Sequence, residues 1–132
     1  MEEETSEEES LETNYFFDSY PIIEIVKKNT NFEKYLNKDA NLSIFNLAEI
    51  YYSILNNYDE EKANEVYETY KGGVVDLTDE IVKEAMKFRK LHKKEDFSYA
   101  DCIGYIYAKK NNMKFLTGDK AFENLSNVEF VK

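Results

Sequence analysis

The sequence has very few of the residues on which several common chemistries depend. It contains one cysteine, Cys102, and one histidine, His92. A single cysteine excludes an intrachain disulfide and is typical of a reducing cytoplasm, and the chain offers no cluster of His and Cys metal ligands. No apolar run approaches the ~20 residues of a membrane span, and the acidic start lacks the positive segment of a signal peptide. We therefore expect a cytoplasmic protein without a membrane segment.

Basic residues are missing from the first twelve positions, which contain seven Glu. Such a block is typical of a solvated, disordered tail, although it would also suit a segment that mimics nucleic acid or docks on a basic partner. The net charge of the whole chain is −10, whereas that of residues 13–132 is −3. We therefore predict an acidic tail at 1–12 and one nearly balanced domain at 13–132, which is compatible with a polyanionic substrate.

Predicted strands and helices alternate along the domain. The pattern favours helices over about 21–29, 46–55, 59–70, 78–91 and 98–112, with Asn46, Thr78 and Ser98 at their starts. The helix after Thr78 is expected to bury Val82 and Leu91 among other apolar side chains. Short strands are predicted at 14–17, 42–45, 74–77, 113–116 and 128–131. The alternation predicts a three-layer α/β/α sandwich around a mostly parallel sheet.

Four acidic residues follow predicted strands or begin helices: Asp18, Glu49, Asp101 and Asp119. Ligands bind at the carboxyl ends of the strands in such sheets, and four carboxylates gathered there would repel one another unless a divalent cation neutralised them. Hard cations such as Mg²⁺ or Mn²⁺ prefer carboxylate and water oxygens. The pattern therefore predicts a metal site suited to phosphoryl chemistry.

Each of these acids also has an ordinary structural interpretation. Asn46-x-x-Glu49 and Ser98-x-x-Asp101 fit a capping pattern, in which the acid serves only the start of its helix. Asp18 would similarly cap a helix, and Asp119 would be a turn residue. In favour of a site, Asp101 shares a helix face with Gly104 and Ala108, whose small side chains would leave room for a cation and a phosphate.

Four segments of the chain resemble the successive motifs of PIN-domain ribonucleases. They are Asn-Tyr-Phe-Phe-Asp-Ser at 14–19, Asn-Leu-Ala-Glu at 46–49, Ser-Tyr-Ala-Asp-Cys-Ile-Gly-Tyr at 98–105, and Leu-Thr-Gly-Asp-Lys-Ala-Phe at 116–122. The resemblance extends over about 14–131, and residues 74–78 also resemble the middle strand of the family. Many members of the family are toxins of VapC-like toxin–antitoxin pairs, and others process ribosomal or messenger RNA.

The resemblance implies a function and a set of site residues. Asp18, Glu49, Asp101 and Asp119 would gather Mg²⁺ or Mn²⁺, and the hydroxyls of Ser19 and Thr117 would support them. RNA would be hydrolysed to leave a 5′-phosphate and a 3′-hydroxyl, with one or two ions at the site. The resemblance further implies a homodimer and a small antitoxin-like partner that inserts Arg or Lys into the acidic cleft.

Further residues are weaker candidates for substrate binding. Arg89, Lys93 and Lys94 would form a basic patch for RNA phosphates, or only a solvated surface. Tyr20, beside Asp18, is the tyrosine expected to stack on a base. We interpret His92 as a solvated residue at a helix end and Cys102 as a small buried side chain.

Two alternative functions compete with that of a ribonuclease. Phosphoaspartate domains of the haloacid-dehalogenase or receiver type need a second acid beside Asp18, whereas Tyr20 occupies the haloacid-dehalogenase position. The stronger alternative is a PIN-like scaffold or partner subunit without catalytic activity. Retention of all four acids favours the enzyme, and a test of metal dependence distinguishes the two.

Overall fold

The computed structural model describes residues 13–132, so the predicted tail at 1–12 lies outside the described residues. Within them lies a sheet of four parallel strands in the order β2-β1-β3-β4. The strands are β1 (Tyr15–Phe17), β2 (Ala40–Asn41), β3 (Lys114–Thr117) and β4 (Val128–Phe130). Since β1 and β3 are central neighbours, the residues that follow them emerge side by side at one edge of the sheet.

Each face of the sheet has its own apolar core, because neighbouring strand side chains point to opposite faces. Phe16 and Phe115 lie in one core, and Phe17 and Leu116 lie in the other. Helices therefore cover both faces, and the predicted three-layer α/β/α sandwich with a parallel sheet is confirmed.

Five helices of eight or more residues supply the outer layers of the described region. Helices α1 (Ser19–Val26), α2 (Ile44–Asn57) and α3 (Glu60–Tyr70) contribute to the core around Phe17. Helices α4 (Asp79–Leu91) and α5 (Tyr99–Lys110) contribute to the core around Phe16. As predicted, Thr78 and Ser98 cap their helices by accepting hydrogen bonds from the N–H groups of Ile81 and Asp101.

Gly104 lets α5 approach the sheet closely. A Cβ at this position would lie 2.6 Å from Cε1 of Phe16 and 3.0 Å from Cε1 of Phe115. Gly104 and Ala108 are both buried in that core. The expectation that these small residues leave room for a cation and a phosphate is therefore wrong, because the space beside Gly104 is filled by the aromatic rings of the sheet.

The predicted second strand at 42–45 is wrong. The strand lies just before it, at β2, and Leu42 makes only an isolated bridge to Val74. Helix α2 already begins at Ile44, and Ser43 rather than Asn46 is its N-cap. Asn46 is the third residue of the helix and completes the capping box. Its side chain accepts from the N–H of Ser43, and its own N–H donates to the hydroxyl of Ser43.

Two other expectations, for residues between 74 and 91, differ from the structure. The segment 74–77 forms no strand, because after the bridge of Val74 to Leu42 it continues without ladder partners to Thr78. Val82 and Leu91 of α4 are 38% and 82% exposed, so their predicted burial is wrong. In the described region, no helix is both long and apolar enough to cross a membrane.

Candidate active site

Asp18 is the buried centre of the candidate site. It directly follows β1, and its own N–H donates to the carbonyl of Leu116 in β3 at 2.9 Å. One carboxylate oxygen, Oδ1, accepts from the N–H of Ser19 at 2.9 Å, and the other, Oδ2, accepts from Oγ1 of Thr117 at 2.8 Å. Asp18 is only 6% exposed, so its carboxylate is held by the protein with little help from water.

Thr117 connects Asp18 to Asp119. Its hydroxyl group donates to Asp18, and its oxygen accepts from the N–H of Asp119 at 3.1 Å. Asp119 caps the short 3-10 turn Lys120–Phe122, since its Oδ1 accepts from the N–H of Ala121 at 3.0 Å. The predicted turn role of Asp119 is therefore real, and the same turn places this carboxylate at the end of β3 beside the end of β1.

Glu49 reaches the same region from α2. Its Oε1 accepts a hydrogen bond of 2.7 Å from Oγ of Ser19, whose hydroxyl oxygen in turn accepts from Nδ2 of Asn46 at 3.0 Å. Asn46 is fully buried, and its Oδ1 accepts from both the N–H and the hydroxyl of Ser43. The sequence pattern predicts Asn46 only as a helix cap. The signal for its second role is the spacing of three residues, which places Asn46 next to Glu49 along the helix.

Asp101 enters the site from the first turn of α5. It forms a capping box with Ser98, in which Oδ2 of Asp101 accepts from the N–H of Ser98 and the hydroxyl of Ser98 accepts from the N–H of Asp101, both at 3.0 Å. The capping interpretation of Asp101 is therefore confirmed. It does not exclude a second role, because the carboxylate oxygens have further lone pairs.

The charges of the four acids, hereafter the carboxylate cluster, act on one another. The pKa of Asp18 is raised to about 7, chiefly by burial and then by the charges of Asp101 and Glu49, against the lowering hydrogen bonds from Thr117 and Ser19. The pKa of Glu49 is raised by burial and by Asp101, and the pKa of Asp101 is raised by burial and by Asp119. Asp101, Glu49 and Asp119 therefore each raise the pKa of another member, which is the expected result when like charges converge.

The carboxylate cluster is not arranged as a closed metal cage. Within residues 13–132, no three His, Cys, Asp or Glu side chains lie close enough together to hold a metal ion. In the protein alone, each carboxylate instead accepts hydrogen bonds from neighbouring N–H or hydroxyl groups. The donor set consists of oxygens only, which fits Mg²⁺ or Mn²⁺, and coordination would require the side chains to turn toward a common centre.

Tyr20 lies beside the site but is packed against the protein. Its ring occupies the space next to Gly118, where a Cβ would lie 2.3 Å from the ring carbons Cδ1 and Cε1. It also packs edge-on against Phe32, with ring centroids 6.0 Å apart, and Nζ of Lys132 lies 5.3 Å from its centroid. These contacts argue against the predicted stacking of Tyr20 on a base.

Arg89, Lys93 and Lys94 do not join the carboxylate cluster. Arg89 and Lys93 line a separate cleft together with His92, and Lys94 lies in the adjoining 3-10 turn Lys93–Glu95. His92 ends α4, where it packs on Phe88 with centroids 4.3 Å apart. Cys102 is buried, and burial together with Asp101 raises the pKa of its thiol to about 11, as expected for a structural residue.

The fold and the carboxylate cluster define an α/β protein with acidic side chains at the carboxyl ends of parallel strands. Comparison with family models gives the same class, since the PIN domain model matches residues 15–128. The chain therefore belongs to the PIN domain family.

Solved structures share this fold at low sequence identity. One, described as a toxin–antitoxin complex from Klebsiella pneumoniae, has a TM-score of 0.69 and 14% identity over 89% of this chain and 96% of its own. Another, VapBC2 from Rickettsia felis bound to a DNA fragment from the promoter, has a TM-score of 0.69 and 14% identity over 90% and 98%. Comparison with curated proteins gives no match. Likeness at 14% identity shows the shared fold.

Proposed function

We propose that the chain is a metal-dependent endoribonuclease whose carboxylate cluster binds Mg²⁺ or Mn²⁺. The observation that carries this proposal is the placement of Asp18 and Asp119 after the neighbouring strands β1 and β3, where Thr117 hydrogen-bonds to both. The charges of Asp101 and Glu49, which raise the pKa of Asp18, support their inclusion in the same site. Membership of the PIN domain family supports the nuclease class. A bound cation would lower the free energy of the ionised cluster, because it replaces repulsion between carboxylates by attraction.

Roles within the cluster follow from position. Asp18, Asp101 and Asp119 would be the metal ligands, and Glu49, at the exposed rim, would hold a second ion or orient a water molecule. A bound ion supplies activation of water and neutralisation of charge on the phosphodiester. Ser19 and Thr117 would keep the carboxylates oriented, since each hydroxyl already donates to one of them.

The first test is a thermal-shift titration with Mn²⁺ and Mg²⁺ that compares wild type with Asp101→Asn. We expect saturable stabilisation of wild type and its loss in Asp101→Asn, because a ligand that binds only the folded state raises its stability. Asp79→Asn is the matched control, since Asp79 also lies in the first turn of a helix but is exposed and outside the cluster. Metal-dependent cleavage of RNA by wild type and Asp79→Asn, but not by Asp101→Asn, would then support the reaction.

A catalytically silent PIN-like scaffold or RNA-processing partner subunit is the second candidate. The observation that favours it is the absence, among the described residues, of three ligand side chains close enough to hold one ion. The same titration separates the two functions. A lack of any saturable metal shift in wild type would favour the scaffold, and the acids would then be caps and turn residues.

The role of toxin, with an antitoxin-like protein as partner, is supported by the names of the two similar structures and by an exposed surface next to the site. That surface, hereafter the apolar stripe, runs along α2. Phe45, Tyr52 and Leu55 are 47%, 68% and 41% exposed, and Ala48 is exposed between them. Their spacing places them on one face of the helix.

Charge indicates what kind of partner fits. Glu49 lies four residues after Phe45 and three before Tyr52 in α2, so the apolar stripe borders a member of the carboxylate cluster. A small protein that covers the stripe with apolar side chains and inserts an Arg or Lys would neutralise the cluster through charge-assisted hydrogen bonds. Such a partner would compete with both the metal ion and the RNA.

Purification from the native host tests the partner. We expect a small stoichiometric partner with a basic side chain at the cleft to accompany wild type, and to be lost from Tyr52→Glu, which places a charge on the apolar stripe. Purification of wild type as a lone dimer would contradict the antitoxin. The homodimer and the cytoplasmic location remain predictions from the resemblance and from the single buried thiol, and mass measurement in solution tests the dimer.

A further inference from the structure

The most basic stretch of the chain leads directly to the helix that carries Asp101. Residues 89–94 read Arg-Lys-Leu-His-Lys-Lys, hereafter the basic segment. It comprises the last turn of α4 and the start of the following 3-10 turn, and four residues separate it from Tyr99, the first residue of α5. Positive charge is therefore placed close to a site whose own charge is strongly negative.

A cleft of about 310 Å³ opens against the basic segment. Arg89, His92 and Lys93 line it together with Asp96 and Phe97. Nε of Arg89 donates to the carbonyl of Phe97 at 2.9 Å, which fixes the guanidinium at the start of α5. The cleft thus offers two cations against one carboxylate, a balance that suits a phosphate-bearing ligand.

Tyr99 presents an aromatic ring beside this cleft. The guanidinium carbon of Arg89 lies 4.6 Å from the ring centroid of Tyr99, so one face of the ring is covered by a cation. The residue is nevertheless 61% exposed, which means that much of the rest of the ring meets solvent. The anchored arginine restricts the motion of the exposed tyrosine ring. A base that stacks on the ring therefore causes little further loss of side-chain entropy.

The platform and the carboxylate cluster are near neighbours. Tyr99 precedes Asp101 by two residues in the first turn of α5. A single strand that has a phosphate at the carboxylate cluster can therefore extend a base to Tyr99 and a neighbouring phosphate to the basic segment.

We propose that Tyr99, backed by Arg89, is the residue on which a base of single-stranded RNA stacks, and that Lys93 contacts an adjacent phosphate. The inference rests on the proposed ribonuclease function and adds the location of the substrate strand. It replaces Tyr20, whose ring is packed against Gly118 and Phe32, and retains two of the basic residues expected from the sequence.

The test is binding of a short fluorescein-labelled single-stranded RNA, followed by anisotropy in CaCl₂, with integrity of the RNA checked on a gel afterwards. Tyr99→Ala is expected to bind about tenfold more weakly, within the range for loss of one base–aromatic stack, and Tyr99→Phe should bind like wild type. Lys93→Gln should lower the slope of log affinity against log salt by about 0.7, the value for one contact to a single strand. Tyr58→Ala is the matched control, since Tyr58 is 47% exposed at the far end of α2.

Failure of the inference and failure of the proposed function give different results. Wild-type affinity in Tyr99→Ala, or an equal loss in Tyr58→Ala, would overturn the stacking platform even if RNA is cleaved. If wild type cleaves no RNA with Mn²⁺ but loses affinity through Tyr99→Ala alone, the platform stands and the nuclease function fails. Where cleavage is measurable, Tyr99→Ala should raise KM more than it lowers kcat, and it should leave the Mn²⁺ thermal shift unchanged.

Discussion

The hydroxyl of Thr117 donates a 2.8 Å hydrogen bond to the buried carboxylate of Asp18, a residue 99 positions earlier in the chain. This bond joins the ends of the two central strands, β1 and β3, at the carboxylate cluster. It stabilises the ionised form of Asp18, since it lowers a pKa that burial and neighbouring charges raise.

Thr117→Val should therefore destabilise the protein where Asp18 is ionised. A hydrogen bond to a charged group contributes about 1.5–3 kcal/mol, and the valine leaves the buried oxygen of Asp18 without that donor. We expect a loss of this size in urea unfolding at pH 8. Thr117→Ser, which keeps the hydroxyl, should retain most of the stability. A Thr117→Val variant no less stable than Thr117→Ser would contradict this role of the hydroxyl, because valine keeps the methyl group and lacks only the hydroxyl.

The stability of the metal-free protein should fall as pH rises from about 4 to about 7. The pKa of Asp18 is 3.8 when unperturbed and is raised to about 7, first by burial and then by the charge of Asp101. The folded state thus binds the proton more tightly than the unfolded state, so deprotonation over this window costs folding free energy, on the order of a few kcal/mol. The raised pKa values of Glu49 and Asp101 act in the same direction.

Urea unfolding in EDTA across this pH range measures the effect. Asp18→Asn should remove much of the slope, because it has no carboxyl to titrate at the buried position. Saturating Mn²⁺ should reverse the slope for wild type, since the ion binds the deprotonated form. If the metal-free stability instead rises with pH, with the same slope in Asp18→Asn, the pKa of Asp18 is not raised by burial and neighbouring charge.

Asp101→Asn should raise metal-free stability while it removes the metal response. The substitution deletes a charge that raises the pKa of Asp18, and the amide oxygen can still accept from the N–H of Ser98. We expect a gain of about 0.5–2 kcal/mol in EDTA, the usual size for relief of a local conflict. Asp79→Asn should instead lose a few tenths of a kcal/mol, because an exposed acid at a helix start is favourable. An unchanged or lower melting temperature in Asp101→Asn would contradict a converging cluster.

Gly118→Ala should displace Tyr20 and the loop between Thr117 and Asp119. The added Cβ would lie 2.3 Å from ring carbons of Tyr20, which is itself packed on Phe32. Overpacking of this kind costs about 1–3 kcal/mol, and we expect weaker Mn²⁺ stabilisation as well because Asp119 moves. Gly72→Ala is the control, since no atom lies within 4 Å of a Cβ there. If both variants unfold at the same urea concentration, close contact at Gly118 has no energetic importance.

Much of the fold could be predicted from local patterns. The strands at 14–17, 113–116 and 128–131 are confirmed to within about one residue, and the helices that start at Thr78 and Ser98 begin where their caps indicate. The second strand and the start of α2 were wrong because an apolar run of four residues does not distinguish a strand from a helix start. Whether such a run forms a strand depends on the strands available to pair with it, and Leu42 forms only an isolated bridge to Val74.

Burial in the outer helices also depended on neighbours that the sequence does not reveal. Leu91 has the spacing of a core residue, yet as the last residue of α4 it is 82% exposed. Gly104 lacks a side chain, as expected of a residue beside a ligand, yet the ring of Phe16 fills the space next to it. Periodicity indicates which side of a helix is apolar, but the packed partner determines what fills that side.

The sequence alone determined the acidic residue types, the caps and turns that position them, and the resemblance that indicated the family, because these depend on local chemistry and short spacings. Only the tertiary structure decided which contacts join them across the chain: Thr117 to Asp18, Asn46 through Ser19 to Glu49, and Arg89 to Tyr99. The reason is that each of these contacts joins separate elements of the chain, whose relative positions are set by the packing of both apolar cores on one parallel sheet.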